Sequence, residues 1–376
     1  MRVLHVAPSF YPALVYGGPT QSTYNLCRAV AAHGCEVRVL TTDANGLRTL
    51  EVDKDRDVDL APGLTARYCR RQRPDSISAE LLARLPDYAR WADVVHVMAV
   101  YSFPTIPALA VSRLARRPVV WSPRGMLQRW EASRNRALKD AWDRVCAHVA
   151  PRDMTLLFTS KEEADESLAR FPGFPSETIP NGVDLPASVT RTEGDGRLRL
   201  AFLGRLHPIK GLENLLDGFA EVTIPATLTI AGGGDPEYAR QLRERAASLG
   251  VEGRVRFLGS VEGAQKTAVF AEADALLVPS FRESFSIVVI EALGHEVPVI
   301  AGRGTPWKRL EDEGCGLWVD NDPASLAAAI ERIAKAPRRE MGRRGRAWVE
   351  REFTWDLVAE RTVALYRRLA SASRQG

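Results

Sequence analysis

Residues Glu283–Glu291 read ESFSIVVIE and follow the apolar run Ala275–Ser280, ALLVPS. The run has the length and composition of a strand buried on both faces, as in parallel sheets. Glu283 ends the loop after it, and Glu291 sits eight positions on, inside the helix that follows. Open α/β sheets bind ligands outside the carboxyl ends of their strands, so the two carboxylates are expected on a binding edge. Ser284 and Ser286 are expected to cap the helix, whose first backbone N–H groups face the same crevice. A helix N-terminus attracts anions, most often phosphate. Carboxylates beside a phosphate site suit a ligand that also carries neutral hydroxyls, as a sugar does.

Outward from this stretch, short apolar runs alternate with helical segments. In the second half the expected strands are Leu198–Leu203, Thr227–Ala231, Val255–Leu258, Ala275–Val278, Val297–Ala301 and Gly316–Val319. In the first half they are Val3–Ala7, Glu36–Thr42, Leu64–Tyr68, Val94–Ala99, Val119–Ser122 and Leu156–Thr159. Alternation of this kind predicts βαβ units and parallel sheets. Val183–Gly196, VDLPASVTRTEGDG, is polar and aperiodic and reads as a linker. The expected organisation is therefore an α/β domain over 1–182, a linker over 183–196 and a second α/β domain over 197–353. A C-terminal helix over 354–376 follows, packed on its own domain or reaching back to the first. Asp53, Asp55, Asp57 and Asp59 lack the glycine and glutamate of a calcium loop and read as a solvated loop.

The chain has 376 residues, is 45% hydrophobic, and carries a net charge of only +4. That length suits two domains, and that charge gives no argument for nucleic acid. Five scattered cysteines, Cys27, Cys35, Cys69, Cys146 and Cys315, form no CxxC and no zinc-ligand spacing, and suggest reduced thiols in a cytosol. No apolar run approaches the roughly 18 residues needed to span a bilayer, and no leader peptide is evident. Membrane contact is expected to be peripheral, at the inner face of the plasma membrane. The basic segment Arg129–Val149, with Trp130, Leu138, Trp142 and Val145, is read either as a helix packed on the first domain or as a shallow foot on anionic lipid.

Cations and glycines recur at the strand ends. Gly204, Arg205 and Lys210 follow Leu198–Leu203 in GRLHPIKG. Two cations there suit a diphosphate, Arg as a fork of donors and Lys as a point charge. No P-loop and no GxGxxG is present. Gly232–Gly234 is a turn that also permits close backbone approach. Gly17 and Gly18 enter a helix after the first strand. His96, Met98, Tyr101 and Arg124 cluster at the ends of later strands and are candidates for a sugar or acceptor pocket.

Taken together, YGGP, VVHV with YSFP, TSKEEAD, IPNGVD, FLGRLHPIKG, AGGGDP, VRFLGSV, VPSFRESFSIVVIEAL and PVIA resemble the retaining glycosyltransferases of family 4, which have the GT-B fold. SPRGML and GTPW are similar to bacterial members that build surface polysaccharides. The resemblance implies two Rossmann-like domains facing an interdomain cleft and transfer of a hexosyl group from a UDP-, GDP- or ADP-sugar to a glycan or lipid-linked acceptor. It implies retention of configuration and no metal or other cofactor. Arg205 and Lys210 would hold the donor diphosphate, Glu283 the sugar hydroxyls, and Glu291 the ribose. Backbone near Ser284, Phe285, Ser286 and Ile287 would complete the phosphate site, and backbone from Gly259 to Val261 would meet the base. Gly17 and Gly18 would close on the phosphates.

The chain departs from the family pattern at several points. Met98 stands where a functional His is common, Ser284 and Ser286 stand for glycines, and Glu296 stands where Gly is common. Rival readings are a nucleotide-sugar epimerase or a phosphorylase of the same fold, and a catalytically silent nucleotide-sugar-binding subunit.

Overall fold

The computed structural model describes residues 1–72, 76–128 and 136–375. The chain divides into two compact units, one of Met1–Gly182 with Trp355–Gly376 and the other of Val183–Thr354.

The first unit holds strands β1 Arg2–Val6, β2 Glu36–Thr42, β3 Ala44–Asn45, β4 Arg48–Thr49, β5 Val58–Ala61, β6 Leu64–Cys69, β7 Val94–Met98, β8 Val119–Ser122, β9 Thr155–Phe158 and β10 Ser176–Thr178. Its helices are α1 Gly18–Ala32, α2 Ala79–Trp91, α3 Thr105–Leu114, α4 Arg136–Val149 and α5 Lys161–Ser167. The sheet order is β10-β9-β8-β7-β1-β2-β6-β5, parallel except for β5 against β6, and β3 and β4 form a separate hairpin. The central strands β7, β8 and β9 are buried along their whole length, which is why they read as continuous apolar runs.

The second unit holds β11 Leu198–Leu203, β12 Ala226–Ala231, β13 Val255–Gly259, β14 Ala275–Val278, β15 Val299–Gly302 and β16 Gly316–Val319. Its helices are α6 Leu212–Glu221, α7 Pro236–Ser248, α8 Gly263–Glu272, α9 Ile287–Gly294, α10 Arg309–Asp312, α11 Pro323–Lys335 and α12 Arg338–Glu352. The sheet is wholly parallel, in the order β13-β12-β11-β14-β15-β16. α11 shows the local logic. Asp322 caps it, accepting from Ser325 N at 2.9 Å, and Pro323 occupies the first turn. Leu326, Ile330 and Ile333 are fully buried on one face, each worth about 1.5–3 kcal/mol.

Residues 183–196 contain no helix or strand, yet they lie on the second unit. Thr192 N donates to Ala271 O at 3.0 Å, and Arg199 Nη2 donates to Thr192 O at 3.0 Å. The last helix, α13 Trp355–Gln375, belongs to the first unit. Val358, Ala359, Val363 and Tyr366 join the core of α1 and the sheet, and its Trp355 ring leaves no room for a Cβ on Gly182.

One expectation changes. The acidic stretch is not all loop, since Val58–Ala61 forms an edge strand against β6, and Asp55 and Asp57 pair with Arg70 and Arg67. Of the basic segment 129–149, Trp130 and its neighbours through 135 lie outside the described residues. Within α4, Trp142 Nε1 donates to Val100 O at 2.9 Å and the ring packs on the first unit. Leu138 and Val145 are 66% and 44% exposed.

Candidate functional site

In the second sheet the direction of crossover reverses between β11 and β14. This is the switch point at which doubly wound sheets open a crevice, and the loops from these two neighbouring strands carry Arg205, Lys210 and Glu283. Local chemistry fixes their course. After β11, Gly204 N donates to Ala231 O at 3.0 Å, and a Cβ on Gly232 would collide with Gly204 O. A helical turn then runs from Pro208 to Lys210. It starts at His207, whose Nδ1 accepts from Ile209 N at 3.2 Å, and ends at Gly211 with φ +66°. A Cβ on Gly211 would collide with Pro279 O and stand 2.6 Å from Asn321 Nδ2. Ile209 O accepts from Phe281 N at 2.9 Å, and Asn321 Nδ2 donates to Pro279 O. The two loops are thus sewn together along their backbones.

As a result, the Lys210 ammonium donates to Glu283 Oε1, which also accepts from Ser280 Oγ at 2.7 Å. Glu283 N donates to Gly304 O at 2.9 Å. Arg205 is exposed and enters no ion pair with a described residue. Burial, followed by the charges of Arg205 and Lys210, holds the His207 imidazole below its ordinary pKa. Three positive or potentially positive groups therefore crowd one strand end, a setting that favours an anionic ligand.

Glu291 lies on α9, and its Oε1 accepts from Lys266 Nζ at 2.6 Å. Lys266 carries no signal in the sequence, because the partners are 25 residues apart on different helices. Ser286 stands at the N-cap of α9 but does not cap it through its side chain. It adopts φ +69°, ψ +78°, whereas a serine cap needs extended backbone. Phe285 is buried, its ring 5.1 Å from Trp307, and its carbonyl accepts from Trp307 Nε1. Ile287 opens the helix and is half-buried. Gly259 has φ +71°, its carbonyl accepts from Gly232 N at 2.7 Å, and Val261 is half-buried just beyond it.

In the first unit, Gly17 has φ +71° and precedes Gly18, the first residue of α1; both are exposed. His96 and Met98 are buried in β7 at 0% and 4% exposure, so neither offers a side chain to a pocket. His96 Nδ1 pairs with Tyr366 Oη at 2.5 Å and Nε2 with Ser122 Oγ at 2.7 Å. Burial, then His5 and Arg124, hold His96 well below the usual histidine pKa. Tyr101 is half-buried and donates to Asp143 Oδ2 at 3.3 Å. Arg124 has φ +54°, and its Nη1 donates to Asn181 Oδ1. Beside it, Gly125 N donates to Glu163 Oε1 at 2.5 Å, and the other Glu163 oxygen accepts from Thr159 N and Oγ1. Asn181 and Glu163 lie within IPNGVD and TSKEEAD, where residue type and spacing do not set them apart. Only a pattern of side chains at neighbouring strand ends would have found them.

Two Rossmann-like parallel-sheet units with a cation–carboxylate cluster at a switch point define the class of GT-B glycosyltransferase folds. The profile of Glycosyltransferase Family 4 matches residues 16–186, and that of Glycosyl transferases group 1 matches residues 197–336. The chain belongs to glycosyltransferase family 4. It is 32% identical over 249 residues to a D-inositol 3-phosphate glycosyltransferase of Salinispora tropica, covering 58% of this chain and 52% of that one. The chain thus spans about half the length of the curated relatives it matches. Among solved structures, sucrose-phosphate synthase from Thermosynechococcus elongatus superposes with a TM-score of 0.76 at 22% identity, covering 99% of both chains. Anabaena Alr3699/HepE in complex with UDP superposes with a TM-score of 0.77 at 18% identity, covering 98% of this chain and 100% of that one.

Proposed function

We propose that the protein transfers a hexosyl group from a nucleoside diphosphate sugar to an acceptor hydroxyl, with retention of anomeric configuration. The observation that carries this reading is Lys210 held against Glu283 at the switch point, with Arg205 exposed on the same strand end. Arg205 and Lys210 bind the diphosphate and stabilise charge on the leaving phosphate, the kind of electrostatic term that is often the largest in catalysis. Glu283 takes the sugar hydroxyls, Glu291 the ribose, and the α9 N-terminus with the Ser284–Ile287 backbone takes phosphate oxygen. In the transfer step the bond from the anomeric carbon to phosphate oxygen breaks, its electron pair leaving with the phosphate. The acceptor oxygen bonds to that carbon from the same face, and its proton passes to the leaving phosphate. No side-chain base is required, in keeping with a buried Met98 and a His96 whose ring nitrogens are both engaged.

The two cations supply the charge neutralisation, so turnover is expected to persist in chelator. The UDP of the HepE complex supports a nucleotide donor, and a phosphatidyl-myo-inositol mannosyltransferase of Mycobacterium leprae among the relatives supports a lipid-linked acceptor. No helix among the described residues is long and apolar enough to cross a membrane. The exposed Leu138 and Val145 on α4 would be the apolar contacts of a shallow seat on an anionic membrane surface. The test is a thermal-shift screen with UDP-, GDP- and ADP-sugars, followed by slow hydrolysis of the matching donor without acceptor. One donor class should raise the melting temperature and be hydrolysed. If no nucleotide sugar binds at saturating concentration, the reading falls. Donor epimerisation or dependence on inorganic phosphate would favour a different enzyme of the same fold.

A further inference from the structure

We propose that Lys266 is a positioning residue for the donor, holding the Glu291 carboxylate so that its second oxygen is presented to the ribose hydroxyls. This inference rests on the assignment of Glu291 to the ribose.

The geometry is a ladder of two rungs between α8 and α9. Lys266 and Phe270 are one turn apart on α8, and Glu291 and His295 are one turn apart along α9 and its C-cap, so each pair shares a face. Phe270 stacks on His295 with ring centroids 4.8 Å apart, and the Phe270 ring is 1% exposed. His295 Nδ1 also lies 2.8 Å from Glu291 O. This inner rung fixes the spacing of the helices.

The outer rung is Lys266 Nζ to Glu291 Oε1 at 2.6 Å, with side chains 34% and 22% exposed. It lies on the N-terminal side of the inner rung on both helices. The N-terminal ends of the two helices follow β13 and β14, so the outer rung faces the carboxyl edge of the sheet, where Lys210 and Glu283 also stand.

Stability gives little reason for such a pair. Half-exposed ion pairs contribute little, and a cation in the first turn of a helix opposes the helix dipole. Lys266 sits in that first turn of α8, which begins at Gly263. What the pair does accomplish is to restrict a flexible carboxylate. A carboxylate has two acceptor oxygens. Oε1 is held by Lys266, whereas Oε2 accepts no hydrogen bond from a described residue. A rigid acceptor in a half-open position loses little freedom when a vicinal diol donates to it, which is the gain expected of preorganisation.

The test uses the full chain and the nucleoside diphosphate it binds best among UDP, GDP and ADP, together with the 2′,3′-dideoxy form of the same nucleotide. Wild type should prefer the ribonucleotide by about ten-fold or more. Lys266→Met should shrink that ratio at least five-fold, raise the donor KM and leave kcat within about two-fold, with a melting temperature close to wild type. Lys266→Arg should restore the ratio. An unchanged ratio in Lys266→Met, or equal weakening of both ligands, overturns the inference and leaves the donor assignment standing. Failure of wild type to bind any of the three nucleotides overturns both.

Discussion

Replacing Lys210 by Met separates what the Lys210–Glu283 pair does for the fold from what it does for a ligand. The two side chains are 20% and 12% exposed, so water screens them only partly. Removing the ammonium leaves the Glu283 carboxylate with the Ser280 hydroxyl as its remaining side-chain donor. Breaking a buried pair from one side costs about 3–5 kcal/mol, and partial solvent access reduces this to roughly 2–3 kcal/mol. For a domain of this size that is a fall of roughly 5–10 °C in the melting temperature of the second unit. Glu283→Gln in the Lys210→Met background removes the stranded charge and should recover most of the loss, leaving stability within about 1 kcal/mol of wild type. Activity should not recover, because the double variant still lacks the cation, and kcat/KM for the donor should stay at least about 100-fold down. Calorimetry gives the stability cycle, and initial rates or donor hydrolysis give the activity cycle. If Lys210→Met melts within 1 °C of wild type and turns over within about three-fold of it, the assignment of this pair to the diphosphate site is refuted.

Arg205→Ala removes an exposed cation that has no ion-pair partner among the described residues, so kcat/KM should fall about 100-fold or more with melting unchanged, measured on the same donor. Gly211→Ala must fit a Cβ against Pro279 O at φ +66°, so it should destabilise the second unit by over about 2 kcal/mol in calorimetry and weaken nucleotide binding by displacing Lys210. Ser286→Gly relieves a positive φ of 69° and should stabilise by roughly 0.5–1 kcal/mol in denaturant titration, the relief of about 1–2 kcal/mol being offset by unfolded-chain entropy. His5 folds neutral, its pKa held by burial and then by Arg124 at about 3 against an ordinary 6.5. The unfolded chain therefore takes up a proton that the folded chain refuses, and stability, flat above about pH 7, should fall as pH drops through 6.5. For His5 alone the loss from pH 6.5 to 5 is about 1.5 kcal/mol, and His96 acts in the same direction. Chemical denaturation at several pH values reads it, and constant stability across that range would sink the claim.

The parallel strands were legible because each carries an apolar run or an alternating apolar face that ends in a buried stretch. Glu36–Thr42, Leu198–Leu203, Ala275–Val278 and Gly316–Val319 stand in the structure with the bounds expected. Edge elements were not. Val58–Ala61 is only half-buried, with Asp59 exposed, and follows directly on an acidic loop, and the β3–β4 hairpin spans too few residues for any period to show. At the site, the motif residues could be named, but their partners could not. Lys210 and Glu283 are 73 residues apart and meet only because β11 pairs with β14 in the sheet. Lys266 owes its position to the angle at which α8 leaves Gly259 and Gly263, both at positive φ. Ser286 was misread as a cap because residue type alone does not reveal a left-handed backbone.

The left-handed backbone at Ser286 points to how this segment is held. Ser286 at φ +69° and Glu296 at φ +57° bracket α9, each in a conformation that glycine would adopt without strain. Strained conformations persist when their surroundings over-determine them, and both ends of α9 are pinned from outside. At its start, the Phe285 ring is wedged between Trp307 and Phe353 while Trp307 Nε1 donates to the Phe285 carbonyl. At its end, Glu296 O lies so close to Gly342 of α12 that no Cβ fits between them. Glu296 N donates to Leu293 O at 2.9 Å. The backbone path that presents Glu283 and Glu291 is thus imposed by the tertiary core rather than by the residues at the turns. Non-glycine residues at Ser286 and Glu296 are therefore compatible with the observed placement of the carboxylates. The core contacts of the Phe285 ring and of Gly342, on the face of this segment turned away from its backbone N–H groups, are what the placement of Glu291 depends on.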